Sequence, residues 1–375
     1  MKLPNYCLPL LSLSLVLCAS SASADVTGSL GKIVAVGREG QGNEEASAAW
    51  KDLVSTGPEA LLPVLNAAGK GNIVADNWLR LAAEVIAEQT LTKKQPLPVA
   101  ALEAFLNDHH QASPARLLAF DLIQQADPAK AAAIEPGLAD DPAQELRRGA
   151  VQRRINAGKE LADAKKEAEA KTAYQSALDA ARDEDQVKVI AEALTKLGEE
   201  VNLPKHFGFV TQWQVIGPFD NVGRAGFDKV FPPEKEIKLD TKYPGKDAEV
   251  AWQPFETKHE YGKLDFNKPL TMLKDATAYA VATVNSPEDR DAEIRLNCKN
   301  GWKVWVNGQF LFGRDEYHRG AQMDQYILKC HLKKGANTIL VKCCQNEQKE
   351  QWTVEWEFQL RVCDATGTAI LASNP

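Results

Sequence analysis

The chain has 375 residues, 44% apolar and 25% charged, ordinary values for a globular protein long enough for two domains with real cores. Its formal net charge is −7. A weakly acidic chain lacks the basic surface that broad phosphate-backbone binding needs, so no nucleic-acid partner is expected.

The first 24 residues read as a secretory leader. Lys2 and the free amine start it, residues 8–18 are mostly apolar, and Ala22-Ser23-Ala24 fits a small-residue cleavage site. The apolar run is too short to cross a bilayer as a helix, and no later run is longer. The expectation is an exported protein, periplasmic or extracellular, cleaved after Ala24 and without a membrane span. Cys18 raises the question of a lipid anchor, but Leu17 before it is bulky where lipoprotein processing prefers a small residue.

Residues 25–43 are rich in Gly, Ser and charge and read as a flexible lead-in. From 44 to 203 the pattern is helical and Ala-rich. "WLRLAAEVIAEQ" places Trp78, Leu81, Ala82, Val85 and Ile86 on one stripe, and "ARLLAFDLIQQ" does the same with Leu117, Leu118, Phe120 and Leu122. Ser113-Pro114, Asp127-Pro128 and Asp141-Pro142 each set a capping oxygen before a proline at the first helical position. First helices of successive pairs are expected near 44, 77, 114 and 142, a spacing close to that of helical repeats. "DPAQELRRGAVQRRINAG" and its neighbours resemble HEAT-type repeats. The stretch from 164 to 198 looks more like a tetratricopeptide-style pair, with Ala173, Tyr174, Ala177, Leu178 and Ala181 on its inner face. Such a solenoid is either a concave protein-binding surface or a packing stalk for the next domain.

After Pro204 the period changes to two. Strands are expected in "QWQVIGPFDN", closing on a Gly-Pro turn, and then over 277–284, 292–298, 302–308, 325–332, 337–344 and 352–362. The last alternates most cleanly: Trp352, Val354, Trp356, Phe358, Leu360 and Val362 on one face, Thr353, Glu355, Glu357, Gln359 and Arg361 on the other. That is the pattern of a half-buried antiparallel strand. Seven or more such strands imply a β-sandwich. The fold class is therefore multidomain α then β: an N-terminal helical solenoid over 44–203 and a C-terminal antiparallel jelly-roll sandwich over 204–375.

Within "NGWKVWVNGQ", alternation puts Trp302 with Val304 and Val306, facing the core, and Trp305 on the opposite face with Lys303 and Asn307. The two indoles cannot form one platform. Trp305 is either covered by the Trp-, Pro- and Phe-rich segment before the sandwich core or part of a binding surface. Asn307-Gly308 is a tight hairpin turn. After the leader, five cysteines remain, Cys298, Cys330, Cys343, Cys344 and Cys363. An odd number without a CxxC pair leaves two readings, small buried hydrophobes or at least one bridge. Cys343 and Cys344 point to opposite faces and should not bridge each other.

"WKVWVNGQFLFG", followed after a loop by "YILKCHLKKGANTILVK", resembles the galactose-binding-like sandwich, and is similar to the sugar-binding domain that accompanies family 2 glycoside hydrolases. Its turn is Leu332-Lys333-Lys334-Gly335-Ala336-Asn337. "WQVIGPFDN" with "FPPEKEIKL" looks like the opening of such sandwiches in exported bacterial proteins with HEAT-like helical repeats. The resemblance implies the fold and, more weakly, carbohydrate binding.

The richest polar loop is 313–325, with Arg314, Asp315, Glu316, Tyr317, His318, Arg319 and Asp324. Planar hydrogen-bonding groups and an aromatic face are what a sugar needs. In that reading Tyr317 or Trp305 stacks on the ring while Arg314, Asp315 and Glu316 bind hydroxyls. The alternative is a solvated hairpin crosslinked by its own Arg–carboxylate pairs. A second cluster, "GPFDNVGRAGFD", carries Phe219, Asp220, Asn221, Arg224 and Asp228 and reads mainly as a tight loop. Its oxygens, or those of Asp289 and Asp291, could hold a structural Ca²⁺, though neither matches a spaced calcium loop; no other cofactor is expected. The six histidines form no HExxH, and no P-loop or G-x-S-x-G elbow appears. The expectation is a non-catalytic binding protein for a glycan in the cell envelope, or alternatively a scaffold that holds a protein partner on its solenoid.

Overall fold

The computed structural model describes residues 26–70 and 72–370; the leader and Cys18 lie outside the described residues. The chain divides into two compact units. One takes residues up to Glu160 together with Asp179–Ala181, and the other takes Leu161–Leu178 and everything from Arg182.

The first unit is helical. A helix over 26–34 (α1) opens it, so the stretch expected to be a flexible lead-in is ordered. Ile33 and Val36 are buried there, and an apolar pair that can be buried outweighs the local Gly and Ser content. There follow α2 (Asn43–Thr56), α3 (Leu61–Ala67), α4 (Ile73–Thr92), α5 (Val99–Asn107), α6 (Ser113–Ala126), α7 (Pro128–Ile134) and α8 (Gln144–Asp163). The capping expectation at Asp127 is met: its carboxylate accepts from Lys130 N at 2.9 Å, with Pro128 at the first helical position. Asp141 accepts from Ala143 N at 2.8 Å, and its two oxygens also take a bidentate grip from buried Arg116. The α4 stripe differs from expectation. Ala75, Leu79, Ala82, Ala83 and Ile86 are buried while Leu81 is exposed. The alanines let neighbouring helices approach, and that choice rotates the buried face away from the larger Leu81.

The second unit begins with α9 (Glu167–Ala180), α10 (Glu184–Lys196) and α11 (Leu203–Phe207). Of the expected inner face, Tyr174, Ala177, Leu178 and Ala181 are buried and Ala173 is half-buried. The β-strands then form two principal antiparallel sheets. The larger is ordered β4 (Gln253–Glu256), β1 (Gln212–Asp220), β6 (Ala276–Ser286), β11 (Gly335–Gln345), β8 (Gly301–Val306), β9 (Gln309–Arg314). The smaller is ordered β10 (Tyr326–Leu332), β7 (Arg290–Cys298), β12 (Glu357–Cys363), β5 (Leu264–Asp265). The Gly217-Pro218 pair, expected to end the first strand, lies inside β1, where the register against β6 shifts between Ile216 and Phe219.

The two sheets face each other over one core, in which Trp302, Val304, Ile294, Val341, Trp356 and Phe358 are all buried. A second cluster lies on the other face of the larger sheet. Trp305 joins Phe219, Phe231, Trp252, Tyr279 and Leu340 there. The two indoles therefore take opposite faces, and Trp305 is covered by the segment preceding β6. That segment includes a small ribbon, β2 (Lys242–Pro244) with β3 (Glu249–Ala251). Lys342 ties it down: its ammonium, fully buried, meets the carbonyls of Phe227 and Lys229 at 3.0 and 2.8 Å and the Glu234 carboxylate at 2.9 Å. Tyr279 donates its hydroxyl to the same carboxylate. A buried charge survives because every donor direction finds an oxygen.

The strand expected over 352–362 starts later. Gln351–Thr353 is a single 3-10 turn and pairing begins at Glu357. Phe358, Leu360 and Val362 face the core as expected, but Gln359 and Arg361 on the polar face are buried too. Gln359 donates to the Tyr261 carbonyl at 2.6 Å, and Arg361 to those of Phe207 and Gly367 at 3.2 and 2.9 Å. Chain before β1, between β4 and β5 and after β12 thus covers the outer side of the smaller sheet.

The hairpin turn is as read. Asn307 and Gly308 have φ of 51° and 78°, the left-handed pair that a two-residue turn requires. Asn337 locks the turn at 332–337: its side chain accepts from Lys333 N at 2.9 Å and donates to the carbonyls of Lys333 and Gly335.

Candidate functional site

One end of the sandwich gathers the loops that follow β1, β7, β9 and β11, and the expected loop 313–325 belongs to it. Backbone hydrogen bonds hold the group together. Asn221 N donates to Asp275 O at 2.9 Å, Asp275 N to Asn346 O at 3.0 Å, and Arg319 N to Lys299 O at 3.1 Å. Asn221, fully buried, donates its amide to Gln345 O at 2.9 Å and to the Tyr317 hydroxyl at 3.3 Å. Gly301 leaves the space for that hydroxyl; a Cβ there would lie 3.1 Å from it.

The loop residues fall into three groups. Asp324 is an anchor. It receives Arg361 Nε at 2.7 Å and Arg295 Nη1 at 2.9 Å, and a second guanidinium contact from Arg361. Burial alone would raise its carboxyl, but the hydrogen bonds from Arg361 and then Arg295 hold it below the usual carboxylate range. Arg314 and Arg319 both pair with Glu316, at 3.0 and 3.4 Å, which is the self-crosslinked hairpin of the alternative reading. Their exposed contacts are worth little in stability.

Tyr317 and His318 form the third group. The Tyr317 ring lies 5.2 Å beneath the Arg224 guanidinium, and Arg224 in turn pairs with Glu347 at 2.7 Å. That hydrogen bond raises Arg224 and lowers Glu347 from their ordinary values. Nearby, the Asp315 carboxyl is raised first by burial and then by Asp228. Burial raises the phenol as well. With one ring face under Arg224 and its hydroxyl engaged, Tyr317 supports the surface and does not offer a free face. His318 Nε2 is 2.8 Å from Asn346 Oδ1. Its ring meets Trp352 edge-on, with centroids 5.4 Å apart and planes at 86°.

Trp352 is the residue that sequence reasoning missed. Its alternation with Val354 and Trp356 placed it in a core strand, yet it is 62% exposed on the 3-10 turn. Thr353, fully buried, pins that turn by donating its hydroxyl to the Gln348 and Glu350 carbonyls. The signal was the polar run 345–351 just before it, which no strand of this sandwich tolerates on both faces. Trp305, by contrast, is only 8% exposed and packs on Phe310 at 5.5 Å, so it presents no ring face to a ligand.

The calcium candidates are occupied by local contacts. Asp220 accepts from Val222 N, Asp289 from Lys334 N, and Asp291 lies 3.0 Å from His331 Nδ1. Among the described residues no cluster of three or more His, Cys, Asp or Glu side chains could hold a metal ion. Among the described residues, too, no helix is long and apolar enough to cross a membrane.

No known sequence family matches the chain, and no curated protein matches its sequence. Solved structures match part of it distantly. The PA14 sugar-binding domain from an RTX adhesin is 15% identical over 41% of this chain and 89% of that domain, with a TM-score of 0.23. A family 35 carbohydrate-binding module from Clostridium thermocellum is 15% identical over 24% of this chain and 71% of the module, at 0.17. The β-glucosidase from Kluyveromyces marxianus is 13% identical over 40% of this chain, at 0.25; the match spans 16% of that enzyme.

Proposed function

We propose that this is an exported, non-catalytic binding protein whose sandwich takes a cell-envelope glycan at the loop end. The observation that carries the reading is the exposed Trp352 indole, packed perpendicular to the His318 ring. An indole in water at a rigid loop end is costly to leave uncovered, and the C–H face of a sugar ring is a fitting cover. Around it stand planar hydrogen-bonding groups set by their neighbours. Asn346 donates to Gln348 Oε1 at 3.0 Å, and the Arg224–Glu347 pair borders Tyr317. Asp315, Glu316 and Arg314 extend the polar rim. Compared with the reading from sequence, Trp352 replaces Trp305 as the stacking ring.

A glycan array probed with the full chain, followed by retention on the polysaccharide it selects, tests this. Binding that disappears in Trp352→Ala while the protein stays folded supports it. Equal retention of wild type and variant, or no glycan bound at all, refutes it. The scaffold reading keeps one observation of its own: Ile73 and Leu81, two turns apart on α4, are 74% and 48% exposed. A protein partner captured by the full chain and lost on changing both to Ser would favour it.

A further inference from the structure

Two of the cysteines meet across the sandwich. Cys298 ends β7 in the smaller sheet, and Cys343 lies in β11 of the larger one. Both are buried in the core between the sheets, with their sulfurs 3.5 Å apart. Among the described residues the other three thiols have no such partner. Cys344 points to the opposite face, where its sulfur accepts from Thr277 Oγ1 at 3.4 Å. Cys330 and Cys363 stand on β10 and β12, on either side of β7, opposite Ala292 and Glu293.

We propose that Cys298 and Cys343 form an inter-sheet disulfide when the chain folds in the presence of a disulfide donor. Closing to a bond of roughly 2.05 Å asks the sulfurs to approach by about 1.5 Å. The chemistry is two thiol–disulfide exchanges. One thiolate attacks the donor disulfide, forming a mixed disulfide and releasing one donor thiol. The second thiolate attacks the protein sulfur of that mixed disulfide and releases the other. The two cysteines lose two electrons and two protons, and the donor is reduced to two thiols. Burial holds the Cys343 thiol protonated well above its ordinary range, so exchange belongs to folding or to an opened sandwich, before the core closes. The bond would staple the two sheets directly and close a long loop, the arrangement in which a crosslink constrains the unfolded chain most.

The test uses the full chain. Reduced, urea-unfolded protein is refolded in a reduced and oxidised glutathione buffer, remaining thiols are alkylated, and peptides are mapped by mass. The expected result is a peptide crosslinked through Cys298 and Cys343, with Cys330, Cys344 and Cys363 alkylated. The oxidised form should also unfold at a higher urea concentration than the same protein with reductant. Alkylated Cys298 and Cys343 in the folded fraction, or either one bridged elsewhere, overturns the proposal. A second arm avoids refolding. The native Cys344→Ser variant is held with oxidised glutathione at a urea concentration below its unfolding midpoint. The same crosslink must accumulate there, and its failure to do so counts equally against the pair.

Discussion

Strand β8 and the turn after β11 treat the same side chain in opposite ways. On β8, Trp302 and Trp305 are both enclosed, one between the sheets and one beneath the segment before β6. On the turn, Trp352 stands largely in solvent, with the His318 ring packed perpendicular to it. Enclosure on β8 follows from pleating, because both faces of its sheet are covered. Exposure at Trp352 follows from a turn that Thr353 and Asn346 hold in place. The first two indoles stabilise the fold; the third is available to something else.

That contrast predicts a ladder of effects. Trp302→Ala should be the most damaging, about 3–5 kcal/mol in urea unfolding, because it empties the centre of the inter-sheet core. Trp305→Ala, at the edge of the outer cluster, should cost about 2 kcal/mol. Cost at Trp302 no larger than at Trp305 would break the assignment of the two faces.

Asp324→Asn falls between the two indoles. It strands Arg295 and buried Arg361 without their shared carboxylate, a loss of roughly 3 kcal/mol at neutral pH. Asp324 has a depressed folded value, so the stability it contributes is full above its unfolded value of about 4 and is lost as pH falls through the lower folded value. Wild type should therefore converge on the variant in acid, and equal offsets at pH 7 and pH 2 would contradict the ion-pair role. Gly308→Ala should cost about 1–2 kcal/mol from backbone strain alone, since φ is 78° and nothing lies within 4 Å of the added Cβ. Asn307→Gly should cost a comparable amount, about 1–2 kcal/mol, for a different reason: it relieves the positive φ but removes the side-chain bonds with Thr338 N at 3.0 Å and Asn337 Oδ1 at 2.8 Å. Trp352→Ala should move the unfolding midpoint least, by under about 0.5 kcal/mol, as exposed side chains do.

Much of the architecture was legible because period alone distinguishes coil-lined helices from pleated strands. The change near Pro204, the hairpin at Asn307-Gly308 and the opposed indoles all follow from counting positions. The site was harder to read. Loop 313–325 is rich in the right side chains, but Glu316 and Asp324 are engaged by arginines, and only Asp324's partners lie far away in sequence, at 295 and 361. Trp352 was hidden by an alternation that continued by coincidence through a 3-10 turn. Its neighbour His318 is brought close by a tertiary contact with Asn346 that no local pattern encodes. The buried polar face of β12 was equally invisible, because what covers it comes from residues more than 90 positions earlier as well as from the C-terminal turn.

The most direct measurement is a calorimetric titration of the full chain with the oligosaccharide that the array selects, in wild type, Trp352→Phe and Trp352→Ala. A stacking surface at the loop end predicts heat in the wild type, weaker binding in the Phe variant and none detectable in the Ala variant, with all three equally stable. Unchanged affinity across the series would show that the indole is not the platform and that the loop end of the sandwich is not where the ligand sits.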